Sequence, residues 1–292
     1  MVGYILGNYL AEAGKITTEQ LAQILENAGK VRVKLGLIAV SEGYMTTAQA
    51  EEVNRLQAVM DKRFGDIALE NGYLTGQQVE LLLQKQGDEY LTFLQTIVDL
   101  GIMGMADTEN ILSDYKKAKG LSDEESEALK HGELDRIIGM FLPQEVEAYT
   151  ELIGVAVRTI IRCVDRDICL EPAFMEQSIS GKDGAFQRFE AEDGSRTCTG
   201  MIEVDGGFLY TASSFAGEEF AMLDADALDS CAELLNCING IYASSKSKEG
   251  IELELLPPEM YDEEVTLKAE GGICVLPILI KGRRFRLVVF RT

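Results

Sequence analysis

The stretch Asp224-Ala-Asp-Ala-Leu-Asp229-Ser-Cys-Ala-Glu233-Leu-Leu-Asn236-Cys-Ile-Asn239-Gly240-Ile-Tyr-Ala-Ser-Ser245 decides the fold of the half of the chain in which it lies. At about 100° per residue, Leu228, Cys231, Ala232, Leu235, Ile238 and Tyr242 fall in one apolar stripe, widened by Ala227, Leu234 and Ile241. The spacing predicts a helix with one side buried. On the narrow remaining face Asp229, Glu233, Asn236 and Gly240 follow at i, i+4, i+7 and i+11, so a carboxylate and an amide point the same way. A polar row of this kind is by default a solvated face. Two residue choices argue for more. Asn236 and Asn239 occupy mid-helix positions where Glu, Lys or Gln would be more favourable, because an Asn side chain competes for backbone groups. Gly240 costs a further ~1 kcal/mol against Ala and leaves space beside Asn236 for another surface.

Working outward, the helix is followed by Ile251-Glu-Leu-Glu-Leu-Leu-Pro257-Pro258. The pattern Asp229-x3-Glu233-x2-Asn236-x3-Gly240, then a strand and a proline, resembles the signature of the CheC/CheX family of chemotaxis phosphatases. The resemblance spans roughly residues 144 to 292, and with a single Glu-x-x-Asn pair it is closer to the CheX branch. It implies an α+β domain that docks a CheY-like response regulator and hydrolyses its aspartyl phosphate. Under that resemblance Asn236 would hold the attacking water and Glu233 would pair with the receiver's active-site Lys. Asp229, Asn239 and Gly240 would contact the partner. The receiver would bring its own Mg²⁺, so no cofactor or metal of this chain's own is expected, and a homodimer through this domain is implied. Phosphoryl transfer depends on positioning and charge stabilisation, and an uncharged amide can accept a water hydrogen without bringing negative charge toward the phosphoryl oxygens. The chain departs from the family at Ile241, where Asn often follows the helix glycine; here Asn239 precedes it. A non-catalytic domain that only binds a receiver or another partner is the alternative.

Composition bounds the rest. At 292 residues with 46% hydrophobic and 26% charged residues, the chain is long enough for two domains with separate cores. A formal charge of −22 argues against nucleic acid and against docking on anionic lipid. No apolar run approaches the ~20 residues of a membrane helix, and the start Met1-Val-Gly-Tyr-Ile-Leu-Gly lacks the basic residues of a signal peptide, so a cytoplasmic setting is expected. The six cysteines contain no Cys-x-x-Cys pair and read as small, mostly buried thiols.

Residues 1–120 carry an internal repeat. Gly14-Lys-Ile-Thr17, Gly43-Tyr-Met-Thr46, Gly72-Tyr-Leu-Thr75 and Gly101-Ile-Met-Gly104 recur every 29 residues. Each of the first three ends a short apolar helix at the glycine, and Thr17 with Gln20, Thr46 with Gln49 and Thr75 with Gln78 form capping boxes that open the next. Helical hairpins that stack on their neighbours are predicted, with the irregular fourth unit as an end cap. The segments Lys34-Leu-Gly-x4-Ser-Glu-Gly43 and Arg63-Phe-Gly65-x4-Glu-Asn-Gly72 resemble the units of MshEN-type domains, a family that binds cyclic di-GMP. The resemblance implies nucleotide contact at Arg63 and Gly65. Lys34 stands in the other copy and lacks Arg's planar fork. A packing or docking scaffold is the alternative.

Residues 121–143 are expected to be a linker helix, opened by the Ser122/Glu125 capping box and carrying the single histidine, His131, as a surface residue. A helix from Glu147 to Val164 opens the second domain. After it the period changes to two, predicting strands at Ile168–Met175, Phe186–Ala191, Arg196–Val204, 207–212, 251–255, 272–280 and 284–290, with hairpin turns at Asp193-Gly194, Asp205-Gly206 and Lys281-Gly282. Lys281, Arg283, Arg284, Arg286 and Arg291 suggest a charged edge strand or a surface for an acidic partner. The predicted fold is multi-domain: an all-α helical-hairpin repeat domain, then an α+β CheX-like domain at 144–292 whose antiparallel sheet carries long helices on one face.

Overall fold

A computed structural model describes all 292 residues, which divide into two compact units, 2–134 and 135–292. Each is built around its own core.

The first unit is all helical. Its elements are α1 (Val2–Glu12), α2 (Thr18–Ala28), α3 (Leu35–Ser41), α4 (Thr47–Gln57), α5 (Phe64–Glu70), α6 (Gly76–Gln84), α7 (Glu89–Asp99), α8 (Met105–Thr108), α9 (Ile111–Lys119) and α10 (Asp123–His131). The 29-residue period is a backbone period. Gly14, Gly43, Gly72 and Gly101 all adopt φ between +65° and +71°, a region open to glycine at no steric cost. Thr17, Thr46 and Thr75 each accept the backbone N–H of the Gln three residues on, whose side chain accepts the threonine's own N–H at 2.8 Å.

The units do not stack in a simple line. The segment expected as an end cap supplies α7, which buries Tyr90, Leu91, Phe93, Leu94 and Ile97 and packs against α1, α2, α3 and α10. It is the centre of this unit. Its Gln95, only 1% exposed, reaches back to accept the Lys34 backbone N–H at the start of α3 (3.0 Å). The expected linker helix is likewise divided. α10 packs on α7 and α9 and buries Ala128 and Leu129, so it belongs to the helical unit, and the division falls between residues 134 and 135. His131 is exposed beside Glu127.

The second unit holds α11 (Leu134–Gly139), a 3-10 turn (Gln144–Tyr149), α12 (Thr150–Cys163), β1 (Ile168–Leu170), β2 (Phe174–Gly181), β3 (Gly184–Ala191), β4 (Arg196–Glu203), α13 (Gly207–Ala216), α14 (Ala225–Lys248), β5 (Leu253–Leu255), β6 (Glu259–Tyr261), β7 (Val265–Ile280) and β8 (Arg283–Arg291). The sheet is antiparallel in the order β1-β7-β8-β4-β3-β5, with β2 added to β7 and β6 to β3. Because side chains alternate along a strand, it has two apolar faces. Gln187, Thr199 and Met201 share the face beneath α13 and α14. On the other, Phe186, Cys198, Ile202, Ile273, Val275, Val288 and Phe290 form a second core with Ile179, against which Tyr261, Leu267 and Ala269 pack. The sheet curls, and the β2–β7 register shifts between Glu176 and Ser178.

Three strand expectations change. The run expected as one strand at Ile168–Met175 is interrupted at 171–173, around Pro172, and gives β1 and the start of β2. Residues 207–216 form α13, not a strand, because the Glu203 carboxylate accepts the Gly206, Phe208 and Leu209 N–H groups and so caps a helix N-terminus. The Asp205-Gly206 pair therefore starts a helix and closes no hairpin; Asp193-Gly194 and Lys281-Gly282 do close hairpins, β3–β4 and β7–β8. Nor is the basic strand at an edge: β8 lies between β7 and β4. Its end charges are matched within the unit, Lys281 by Asp165 (3.3 Å) and Asp167 (3.8 Å), and Arg284 by Glu171 (3.2 Å) and Asp205 (3.8 Å).

Candidate functional site

α14 begins where Asp224 accepts the Ala227 N–H at 3.0 Å and runs for 24 residues. Its buried side is the predicted one through Ala227, Leu228, Cys231, Ala232, Leu234, Leu235 and Ile238. These residues lie against α13 and the sheet, which fixes the rotation of the helix about its axis. Rotation in turn decides what faces water. Asp229, Glu233 and Asn236 are exposed, and a Cβ built on Gly240 would meet nothing within 4 Å. Ile241, expected to widen the apolar stripe, is instead 44% exposed, and Cys237 is exposed beside it. The face thus carries two carboxylates, one amide, an open glycine and an apolar margin.

Asn239 departs from its expected place. It is fully buried, turned toward the sheet rather than toward any partner. At 0% exposure it cannot be a contact residue. Its Nδ2 donates to Gln187 Oε1 (2.8 Å) and to Thr199 Oγ1 (2.7 Å), while its Oδ1 lies 3.0 Å from the Thr199 hydroxyl. Gln187, in the middle of β3 and 2% exposed, continues the chain of contacts: its Nε2 donates to Leu256 O (2.9 Å) and to Asn236 Oδ1 (2.8 Å). A buried polar relay therefore runs from β4 through α14 and β3 back to the exposed Asn236.

The direction of this relay follows from one group. The Leu256 carbonyl can only accept, so the Gln187 atom facing it is the NH₂. The same NH₂ faces Asn236, so Asn236 turns its oxygen inward. Gln187 Oε1 then faces Asn239 and requires that residue's NH₂. Pro257 adds a constraint, since the residue before a proline is confined to extended backbone, which aims the Leu256 carbonyl. Asn236 is left with one Oδ1 lone pair and its NH₂ for whatever approaches from solvent.

Glu233, one turn before Asn236, makes no ion pair or hydrogen bond within the chain. An exposed carboxylate with no cation of its own is free to pair with one from outside. The Cys237 thiol is pushed up from its ordinary range, first by partial burial and then by the nearby Glu233 carboxylate and Cys163, so it stays protonated near neutrality. No cluster of three or more His, Cys, Asp or Glu residues forms a metal site.

The residues singled out in the helical unit lie elsewhere. Arg63 is exposed at the residue before α5. Gly65 lets α5 approach α6, since a Cβ there would sit 3.2 Å from Val79, and its repeat mate Gly36 lies under the Phe64 ring, 3.0 Å from a Cβ position. Lys34 is tied to Asp99 at 2.7 Å. Gln187 and Thr199 escaped the sequence reading; the one available signal was an amide between Phe186 and Phe189 in a strand.

No protein-family model and no curated protein matches the chain. Solved structures do. CheX of Desulfovibrio desulfuricans is 10% identical with a TM-score of 0.43, covering 50% of this chain and 99% of that one. CheX of Vibrio vulnificus is 13% identical with a TM-score of 0.43, over 51% and 100%. The CheX–CheY–BeF3–Mg²⁺ complex of Borrelia burgdorferi matches at 15% identity and a TM-score of 0.41, over 49% and 97%. The structural neighbours are thus CheX- and CheC-like chemotaxis proteins over about half of the chain. No helix is long and apolar enough to cross a membrane.

Proposed function

We propose that the second unit is a protein phosphatase for the aspartyl phosphate of a CheY-like receiver domain. The observation that carries this reading is the exposed pair Glu233 and Asn236, one helical turn apart and bordered by the open surface at Gly240. Glu233 would pair with the receiver's active-site Lys, which places the docked phosphoaspartate over Asn236. The free lone pair of Asn236 Oδ1 would accept a hydrogen from water and hold it in line with phosphorus, while the receiver supplies Mg²⁺. Nothing in this scheme needs a base from α14: the loose transition state asks for position and charge.

The test is the decay of a phosphorylated receiver from the same genome, with wild-type protein and Asn236→Ala. Loss of about 10²-fold in accelerated decay is expected when the positioning amide is removed. Equal decay with both proteins would refute hydrolysis, and binding without turnover would leave a docking module. For the helical unit a scaffold role is favoured over nucleotide binding, because Gly36 and Gly65 are used in packing. Calorimetry of cyclic di-GMP against wild type and Arg63→Ala should give no heat with either; heat lost in the variant would reverse that preference.

A further inference from the structure

We infer that Gln187 is a positioning residue for Asn236: by donating to Asn236 Oδ1 it holds the exposed amide in one orientation, with the second Oδ1 lone pair and the NH₂ left for what docks there. This inference rests on the function proposed above. An exposed asparagine on a helix can rotate its amide by half a turn at little cost, and the two orientations are chemically opposite. In one, Oδ1 is anchored on Gln187 Nε2 and keeps a second lone pair for water; in the other, the Asn236 NH₂ opposes the Gln187 NH₂ and the relay is broken. A water that donates its hydrogen to that second Oδ1 lone pair keeps its own lone pair for phosphorus.

Gln187 removes that ambiguity. Both of its Nε2 hydrogens are used, one on Leu256 O at 2.9 Å and one on Asn236 Oδ1 at 2.8 Å, and its Oε1 accepts from Asn239 at 2.8 Å. A side chain that is 2% exposed and bonded at three points has one rotamer available to it. Its neighbours are held equally well, since Asn239 and Thr199 exchange contacts at 2.7 and 3.0 Å and every buried side-chain polar atom has a partner. Stability alone does not explain the choice. A buried amide network gains little over an apolar strand residue at the same place, and each member becomes costly if any other is lost. What the network does supply is an orientation, passed from a backbone carbonyl that cannot change its polarity to the one amide at the surface.

The parts of the sequence pattern are joined by this side chain. Asn236 lies on α14 and Pro257 follows β5, on separate elements, yet Gln187 bonds to the first and to the carbonyl of the residue preceding the second. Asn239, three residues beyond Asn236 on the same helix, braces Gln187 from beneath, which accounts for a second asparagine at a poor helix position.

The test uses the full chain and Gln187→Met, which keeps length and volume but can neither donate nor accept as the amide does. Turnover of the phosphorylated receiver at saturation should fall about tenfold or more, with the half-saturating receiver concentration changed less than twofold. Thr199→Val, at the far end of the relay, should cause a smaller loss of the same kind and serves if Gln187→Met does not fold. The independent readout is the Asn236 side-chain NH₂ by ¹⁵N relaxation: ordered in wild type, mobile in either variant. A folded variant with wild-type turnover and an equally ordered amide overturns the inference. If wild type turns over no receiver, the proposed function fails by itself, and the relaxation data still decide whether Gln187 holds Asn236.

Discussion

Gly207, in the first turn of α13, lies directly against the backbone of Arg284 in β8. A Cβ at Gly207 would fall on the Arg284 carbonyl and 2.8 Å from the Phe285 nitrogen. Backbone cannot step aside as a side-chain end can. The contact sets how closely α13 approaches the sheet, and α13 is the neighbour against which α14 buries Cys231, whose Sγ lies 3.6 Å from Phe208 O. Gly207→Ala should therefore cost about 2–3 kcal/mol, as overpacking in a rigid place does. Urea denaturation measures it; a loss below 0.5 kcal/mol (order of the surface-mutation scatter) would show that α13 can shift freely.

Gly240 is the opposite case. Space around its Cβ position is open, so Gly240→Ala should stabilise the protein by about 0.5–1 kcal/mol through helix propensity. Gly240→Phe should also fold, but it puts a ring beside Asn236 where a receiver would dock, and receiver binding should weaken at least about tenfold. Titration of a receiver against both variants checks this. Unchanged affinity for Gly240→Phe would place the docking surface elsewhere.

Where local chemistry decides, the sequence was readable. The three capping boxes, the left-handed glycines and the alternating strands are short-range patterns, and α14 could be rotated correctly about its axis from its apolar residues alone. What escaped depends on partners far along the chain. The segment 207–212 has the composition of a strand, and only the Glu203 carboxylate folding back on three N–H groups makes it a helix. α7 looked like a degenerate repeat because its role is set by contact with α1, α2 and α3. Asn239 shares its residue type with Asn236 but sits about 300° further round the helix, enough to turn it from water to the sheet. Gln187 could not be linked to Asn236 at all without the β3 register.

The capping boxes offer a check on how the helical unit is held. Thr46→Ala removes the acceptor for the Gln49 N–H and one side of the reciprocal pair, and should cost about 1 kcal/mol. Amide hydrogen exchange should be faster through the start of α4 than elsewhere. Uniformly faster exchange across residues 2–134 would mean that the unit opens only as a whole.

Asp165 gives the second unit a defined acid response. Burial pulls its carboxyl toward the neutral form, but the Asp167 N–H at 2.8 Å, the Tyr210 hydroxyl at 2.8 Å and the Lys281 ammonium at 3.3 Å together hold its pKa below the ordinary value. It thereby ties the end of α12 to α13 and to the β7–β8 turn. With a folded pKa below the unfolded one, the stabilisation is fully present above the unfolded value and is lost as pH falls through the folded value. Asp165→Asn should cost about 1–2 kcal/mol near pH 7. The gap between wild type and variant should then narrow as pH drops below about 4, because protonation of the wild-type carboxyl removes the charge that the substitution has already removed. Urea denaturation of both proteins from neutral to acid pH measures the gap, and a difference that stays constant would show that the three partners stabilise the neutral acid as well as its anion.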